Sequence, residues 1–215
     1  DALEESLRKR PFIDEALQED LINLSSLARS LQPDVEKLVG KPVKESAMVM
    51  AIRRREPKLQ LKIQHKLQQF ISTLGDIIVR SNLVAYNYVK SNHMAKRQAQ
   101  FLDKVNLNST GFHSFTGGME ETTIVISKEY ADILEQIMSD ERLLGKTEQL
   151  SAITLRLPNS SSDVIGLYYY FFKHIAAAGV PIKEIISTSN EATFIVHSDD
   201  VNSAFATINT IKKPL

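Results

Sequence analysis

Residues 121–134 read E-T-T-I-V-I-S-K-E-Y-A-D-I-L, and residues 191–205 read E-A-T-F-I-V-H-S-D-D-V-N-S-A-F. Each stretch opens with Glu, any residue and Thr, continues with three apolar residues of strand type, turns through polar residues and passes into a helical pattern. The offset between them is seventy residues. A period that long exceeds one solenoid unit and fits duplication of a small domain. Small duplicated domains of this kind more often bind and regulate than catalyse, and that sets the functional expectation.

Working outward from the second copy, L-S-A-I-T-L-R-L-P (150–158) predicts a strand, and G-L-Y-Y-Y-F-F-K-H-I-A-A-A-G (166–179) predicts a helix closed by Gly179. I-K-E-I-I-S-T-S and E-A-T-F-I-V-H-S predict a hairpin around Asn190, followed by a helix over 200–211 capped by Asp199 or Asp200. The order β-α-β-β-α is that of the ferredoxin-like split unit, two helices on one face of an antiparallel sheet. The first copy spans 76–149. There D-I-I-V-R and L-V-A-Y-N-Y-V-K predict two strands flanking a hairpin turn at Ser81-Asn82, with a helix over 92–105, a second hairpin around Gly117-Gly118 and a helix over 129–138.

Residues 1–75 carry a helical pattern throughout. Leu3 and Leu7, then Ala16, Leu17 and Leu21, have helical spacing, with Pro11 dividing them. Ser25 is the expected N-cap of the next helix, Pro33–Val39 a further short helix closed by Gly40, and Val43–Ile52 another that ends at R-R-R-E-P. Leu59, Ile63, Leu67, Phe70 and Leu74 trace one more. Several short helices followed by a hairpin is the order of a winged helix. The expected fold is therefore α+β: an N-terminal helical, winged-helix-like module (1–75), then two tandem ferredoxin-like modules, 76–149 and 150–215.

The net charge is zero, but residues 1–40 sum to −4, residues 41–104 to +9 and residues 105–215 to −5. A basic middle suits nucleic acid, an acidic partner or the protein's own acidic ends. The absence of cysteine excludes disulfides, thiolate chemistry and Cys-based zinc sites. No apolar run approaches the ~20 residues of a membrane span, and the first ten residues hold no signal-peptide core. The expected setting is the cytoplasm.

The stretch from L-S-A-I-T-L, through the turn D-V-I-G (Asp163–Gly166), to A-G-V-P-I-K-E-I-I-S-T-S and E-A-T-F-I-V resembles an ACT domain, the small regulatory fold that binds amino acids in many metabolic enzymes. I-I-S-T-S-x-E is similar to the ACT modules of aspartate kinases, and residues 83–138 resemble a degraded copy. The resemblance implies an amino-acid effector, a homodimer and no cofactor. It places the effector at the turn between the first strand and first helix: Asn159, Ser160, Ser161, Ser162, Asp163 and Gly166. Helix N-terminal amides there hold a carboxylate, and a free Asp grips an amino group. The sequence departs from the family in carrying Ile165 where Pro precedes the turn Gly, and Pro181 where an effector-binding Asn opens the second strand.

Other chemistry finds little support. Gly145-Lys146-Thr147 resembles the tail of a phosphate loop, but Asp140 stands where the first Gly belongs. His65, His93, His113, His174 and His197 form no i, i+3 or i, i+4 pair. Tyr168–Phe172 have the spacing of core and interface rather than of base-stacking residues. Arg53, Arg54 and Arg55, closing a helix, suit either phosphates or that helix's own dipole. The primary expectation is a non-catalytic amino-acid sensor. The alternatives are a DNA-binding regulator using the N-terminal helices and an aspartate-kinase-related regulatory subunit.

Overall fold

The computed structural model describes residues 2–10, 13–18, 20–54, 66–105, 111–158 and 164–212. The chain divides into two compact units, Asp1–Lys62 and Ile63–Leu215.

The first unit is helical: α1 (Ala2–Arg8), α2 (Ile13–Gln18), α3 (Leu24–Val39) and α4 (Glu45–Arg54). Leu3, Leu7, Leu27, Ala28, Leu31, Val35, Met48 and Ile52 form its core. The cap of α3 is Asn23, whose side chain accepts from the Ser26 N–H at 3.0 Å, and not Ser25 two positions later. Pro33 does not open a separate helix but lies inside α3. Burial of Leu27, Ala28, Leu31 and Val35 on one face holds the helix through the residue that cannot donate a backbone bond. Gly40 closes α3 in the left-handed conformation, φ 73°. The turn into α4 is pinned from α3: Gln32 donates to the Val43 carbonyl at 2.8 Å, and the Glu36 carboxylate accepts the Val43 N–H at 2.9 Å. That backbone N–H holds the Glu36 carboxyl below its ordinary range, with help from Gln32.

The second unit is a mixed α+β structure. A helix over residues 66–72 (α5) leads into β1 (Ile77–Val89), α6 (Met94–Lys104), β2 (His113–Gly117), β3 (Glu121–Ser127), α7 (Ala131–Ile137) and β4 (Leu143–Arg156). Then follow α8 (Leu167–Ala177), β5 (Ile182–Ser187), β6 (Glu191–His197) and α9 (Val201–Lys212). One antiparallel sheet holds all six strands in the order β2-β3-β1-β4-β6-β5. The doubled stretch is visible directly. β3 and β6 are both seven residues long, and each runs into a short 3-10 turn and a helix.

The expected hairpin at Ser81-Asn82 is not formed. Residues 77–89 are one strand, so no hairpin forms at these residues. Asn82 does take the left-handed backbone expected of a turn residue, φ 57°, but as a bulge. Between the pairs Arg80–Ala152 and Leu83–Leu150, β1 spends Ser81 and Asn82 against the single Ser151 of β4. Between Leu83–Leu150 and Ala85–Thr147 the imbalance reverses, and Glu148 and Gln149 of β4 oppose Val84. Gln149 also has φ 57°. The two opposed bulges restore the register as far as Asn87–Gly145, and a third shift follows before Tyr88–Leu143.

The bulges divide each long strand into two halves with different partners. Residues 83–89 of β1 pair with β3, and residues 150–156 of β4 pair with β6. Residues 77–80 pair with 152–155, so they supply the outer strand that the second β-α-β-β-α run otherwise lacks. Side chains alternate about this sheet. Val84, Tyr86, Tyr88, Ile124 and Ile126 pack with Phe101, Leu134 and Ile137 of α6 and α7. Ile153, Leu155, Phe194 and Val196 pack with Phe171, Ile175, Ala204 and Ile208 of α8 and α9, and with Leu67, Phe70 and Ile71 of α5. The intervening residues Leu83, Ala85, Val125, Leu150, Ala152 and Ile195 form a separate cluster with Phe112 and Ile186.

Candidate functional site

In an antiparallel pair the ends of β1 and β4 point to opposite ends of the sheet. Each is followed by a turn into a helix, so β1 and β4 place a strand-to-helix turn at opposite ends of the sheet. The turn after β4 is where the sequence places an effector. Asn159, Ser160, Ser161, Ser162 and Asp163 lie outside the described residues. Gly166 is the N-cap of α8, with φ 84° and no side-chain cap. A Cβ at Gly166 would meet no atom within 4 Å, so it is the backbone angle and not crowding that calls for glycine there.

Around this turn Ile165 is 70% exposed, Pro181 is exposed, and Tyr168 and Tyr169 stand on the outer face of α8. The Tyr168 hydroxyl bonds the Ser187 hydroxyl and thereby ties the start of α8 to the end of edge strand β5. Phe171 of the same aromatic run is buried in the core, as its spacing predicts. Glu184 of β5 is half-buried, and that burial raises its carboxyl above the ordinary range.

The turn after β1, residues 90–93, was not singled out by sequence. The Lys90 N–H donates to the Glu120 carbonyl at 2.7 Å, its ammonium donates to the Gly118 carbonyl at 2.8 Å, and the His93 N–H donates to the Ser91 hydroxyl at 3.2 Å. The β2–β3 turn therefore latches onto the end of β1. Gly117 and Gly118 serve that turn, as expected. The signal that would have found residues 90–93 is the repeat itself, once β1 is aligned on β4 through the paired residues Leu83 and Leu150.

Gly145-Lys146-Thr147 lies within β4, so it is no phosphate loop. The Lys146 ammonium bonds the Glu135 and Glu148 carboxylates at 3.0 and 2.8 Å and sits over the Tyr86 ring. Tyr86 is fully buried and donates its hydroxyl to Glu135 at 2.7 Å. Burial drives the Tyr86 pKa far up, and Tyr88 beside it is pushed up to about 12. These tyrosines stay protonated and serve packing. Arg53 and Arg54 are exposed at the C-terminal end of α4, where cations complement the helix dipole, and Arg55 lies outside the described residues. Among the described residues no group of three or more His, Asp or Glu side chains is placed to hold a metal ion, and no helix is long and apolar enough to cross a membrane.

No protein-family model matches the chain. No curated protein matches it either. Solved structures do. The aspartate kinase of Clostridium acetobutylicum aligns with 66% of this chain at 13% identity and a TM-score of 0.54, and the match spans only 35% of that enzyme. The regulatory subunit of aspartate kinase from Thermus thermophilus aligns with 65% of this chain at 9% identity and a TM-score of 0.52, over 99% of its own length. The Thermus flavus regulatory subunit aligns to the same extent at 8% identity, TM-score 0.52. At such identities the likeness is one of fold alone, over about two thirds of this chain.

Proposed function

We propose that this chain is a non-catalytic regulatory protein whose second unit, two ACT-like modules interleaved through β1 and β4, senses an amino acid or a similar small zwitterion. The observation that carries this reading is the single sheet β2-β3-β1-β4-β6-β5, which sets a strand-to-helix turn at each end of the doubled unit. At the turn after β4, the helix N-terminus of α8 suits a carboxylate, and Asp163 suits an amino group. Asn159, Ser160, Ser161, Ser162 and Gly166 complete the site that the resemblance implies. Among the described residues β2 and β5 are the edge strands of the sheet, which suits a homodimer through strand edges. An effector acts by preferring one arrangement of such modules, and a target reads the shift through its own differential affinity.

A second reading, a regulatory subunit related to aspartate kinase and acting on a separate catalytic chain, is favoured by the near-complete coverage of the two Thermus regulatory subunits. DNA binding through the N-terminal helices rests on Arg53 and Arg54 being exposed at one helix end, and on Arg55 by sequence alone. It predicts binding that weakens steeply with salt.

The test is a thermal-shift screen of the chain against the twenty amino acids, with Asp163→Ala in parallel. A ligand bound only by the native state raises the melting temperature by mass action, by ~2.7 kcal/mol of stability at a hundredfold excess over Kd. A selective rise that Asp163→Ala loses supports the reading. No rise with any amino acid removes amino-acid sensing and leaves the regulatory-subunit reading to a binding assay with a catalytic chain.

A further inference from the structure

The last β1–β3 pair is Leu83–Ser127. Beyond it β3 turns away through Lys128–Tyr130, while β1 continues beside β4 alone. Residues 77–82 thus have no β3 partner on that side, and a notch opens where the strands part. A cavity of about 620 Å³ lies there, lined by Arg80, Ser81, Asn82, Gly111, Ser127, Lys128 and Glu129. That volume suits a small metabolite.

We propose that this notch binds an oxyanion, the carboxylate or phosphate group of a small molecule. Three observations point the same way. First, its hydroxyls are set to donate. The Ser127 oxygen already accepts the Phe112 N–H at 2.8 Å, and the Ser81 oxygen accepts from the fully buried Ser151 hydroxyl at 3.3 Å. Ser151 also meets the Ser198 hydroxyl at 3.0 Å, and each notch hydroxyl keeps a proton that can turn to an acceptor there. Second, Arg80 and Lys128 make no ion pair among the described residues, whereas an anion in the notch would meet both. The acidic groups that temper them are Glu129, which also lines the cavity, and Glu148, whose carboxyl feels the Lys128 charge but is bonded to Lys146 at 2.8 Å.

Third, the duplication supplies an internal comparison. Aligning Leu83–Ser127 on Leu150–His197 places Thr147-Glu148-Gln149 opposite Arg80-Ser81-Asn82, and Ser198-Asp199 opposite Lys128-Glu129. In that second copy the charges at these positions are acidic: Glu148 is bonded to Lys146, and Asp199 lies beside His197, whose Nδ1 accepts the Asp199 N–H at 3.4 Å. The corresponding positions therefore carry acidic groups in one copy, and two cations and two hydroxyls lining a cavity in the other. Gly111 completes the wall with bare backbone, because a Cβ there would overlap the ring and hydroxyl of Tyr130.

The experiment is a backbone-amide NMR titration of the full chain with inorganic phosphate, with succinate, and with sodium chloride at matched ionic strength. Saturable shifts at Ser81, Asn82, Gly111 and Lys128 are expected with phosphate or succinate and not with chloride. Arg80→Gln and Lys128→Gln are each expected to weaken binding by about tenfold, the loss of one charge-assisted contact. Which of the two probes saturates names the group. Shifts that chloride reproduces, that never saturate, or that persist unchanged in both variants overturn the proposal. Amino-acid sensing at the turn after β4 is read separately at the Gly166 amide, so failure of one site is distinguishable from failure of the other.

Discussion

Thr154 of β4 and Thr193 of β6 are directly opposed in the sheet, 5% and 3% exposed, with their hydroxyls 2.8 Å apart. Each hydroxyl is the other's side-chain partner. Replacing Thr154 with Val removes one hydrogen bond and leaves the Thr193 hydroxyl desolvated, which costs ~1–3 kcal/mol. Thr193→Val has the same cost for the mirrored reason. The double variant Thr154→Val/Thr193→Val leaves no stranded polar group and keeps the shape, so it is expected within ~1 kcal/mol of the parent. The two single losses together should thus exceed the double by ~1 kcal/mol or more, a coupling of the size seen for residues in direct contact. Urea unfolding followed by circular dichroism measures all four proteins, and an unchanged m-value shows that stability alone has moved. Single losses that simply add in the double variant would refute the argument, because they would mean that neither hydroxyl depends on the other.

Two further outcomes follow from backbone and burial. Gln149 holds a left-handed backbone at φ 57° with its side chain exposed, so Gln149→Gly is expected to stabilise by ~0.5–1 kcal/mol, whereas Asn82→Gly gains less because Asn tolerates that region; equal effects in the melting temperature would count against the strain argument. Burial raises the Glu184 carboxyl above its ordinary 4.5, so the folded state holds this proton longer than the unfolded chain does. Ionisation therefore weakens the fold as pH rises from the unfolded value through the raised one, and the penalty is fully present at neutral pH. Glu184→Gln should raise the melting temperature at pH 7 and leave it unchanged below pH ~4; a gain that is the same at both would rule out titration as its cause.

How much of this was legible in the sequence depends on what kind of signal each feature leaves. The doubled strand and helix at Glu121 and Glu191 were plain, because alternation, a polar turn and helical spacing coincide in both copies. Ser81-Asn82 carried a true signal with two structural solutions. Its residues favour a left-handed backbone, which serves a hairpin or a bulge equally, and only the pairing with Ala152 and Leu150 decides for the bulge. Gln149 gave no signal at all, since nothing in a Gln announces φ above zero. Asn23 took the cap from Ser25 because caps are set by where the first turn begins, which single-residue preference places only to within a few positions. The notch at Arg80 was illegible for a different reason. It is made by a strand leaving the sheet, so its lining comes from residues 80–82, 111 and 127–129 together, and no local pattern joins them.

The long strands β1 and β4 impose an order on synthesis and folding. Residues 77–80 enter the chain first, but their partners 152–155 follow more than seventy residues later. The segment that borders the second run of helices and strands must wait unpaired while the whole first run is made. Such distant pairing carries a loop-closure cost before any contact repays it, and it slows folding. The two halves also cannot ripen one after the other like beads, because each lends the other a piece of strand. A nick or a truncation at the Gln149–Leu150 bond would not release two small domains. It would cut β4 where it passes from one half to the other and leave two open sheets, each exposing the edge that its missing strand had covered.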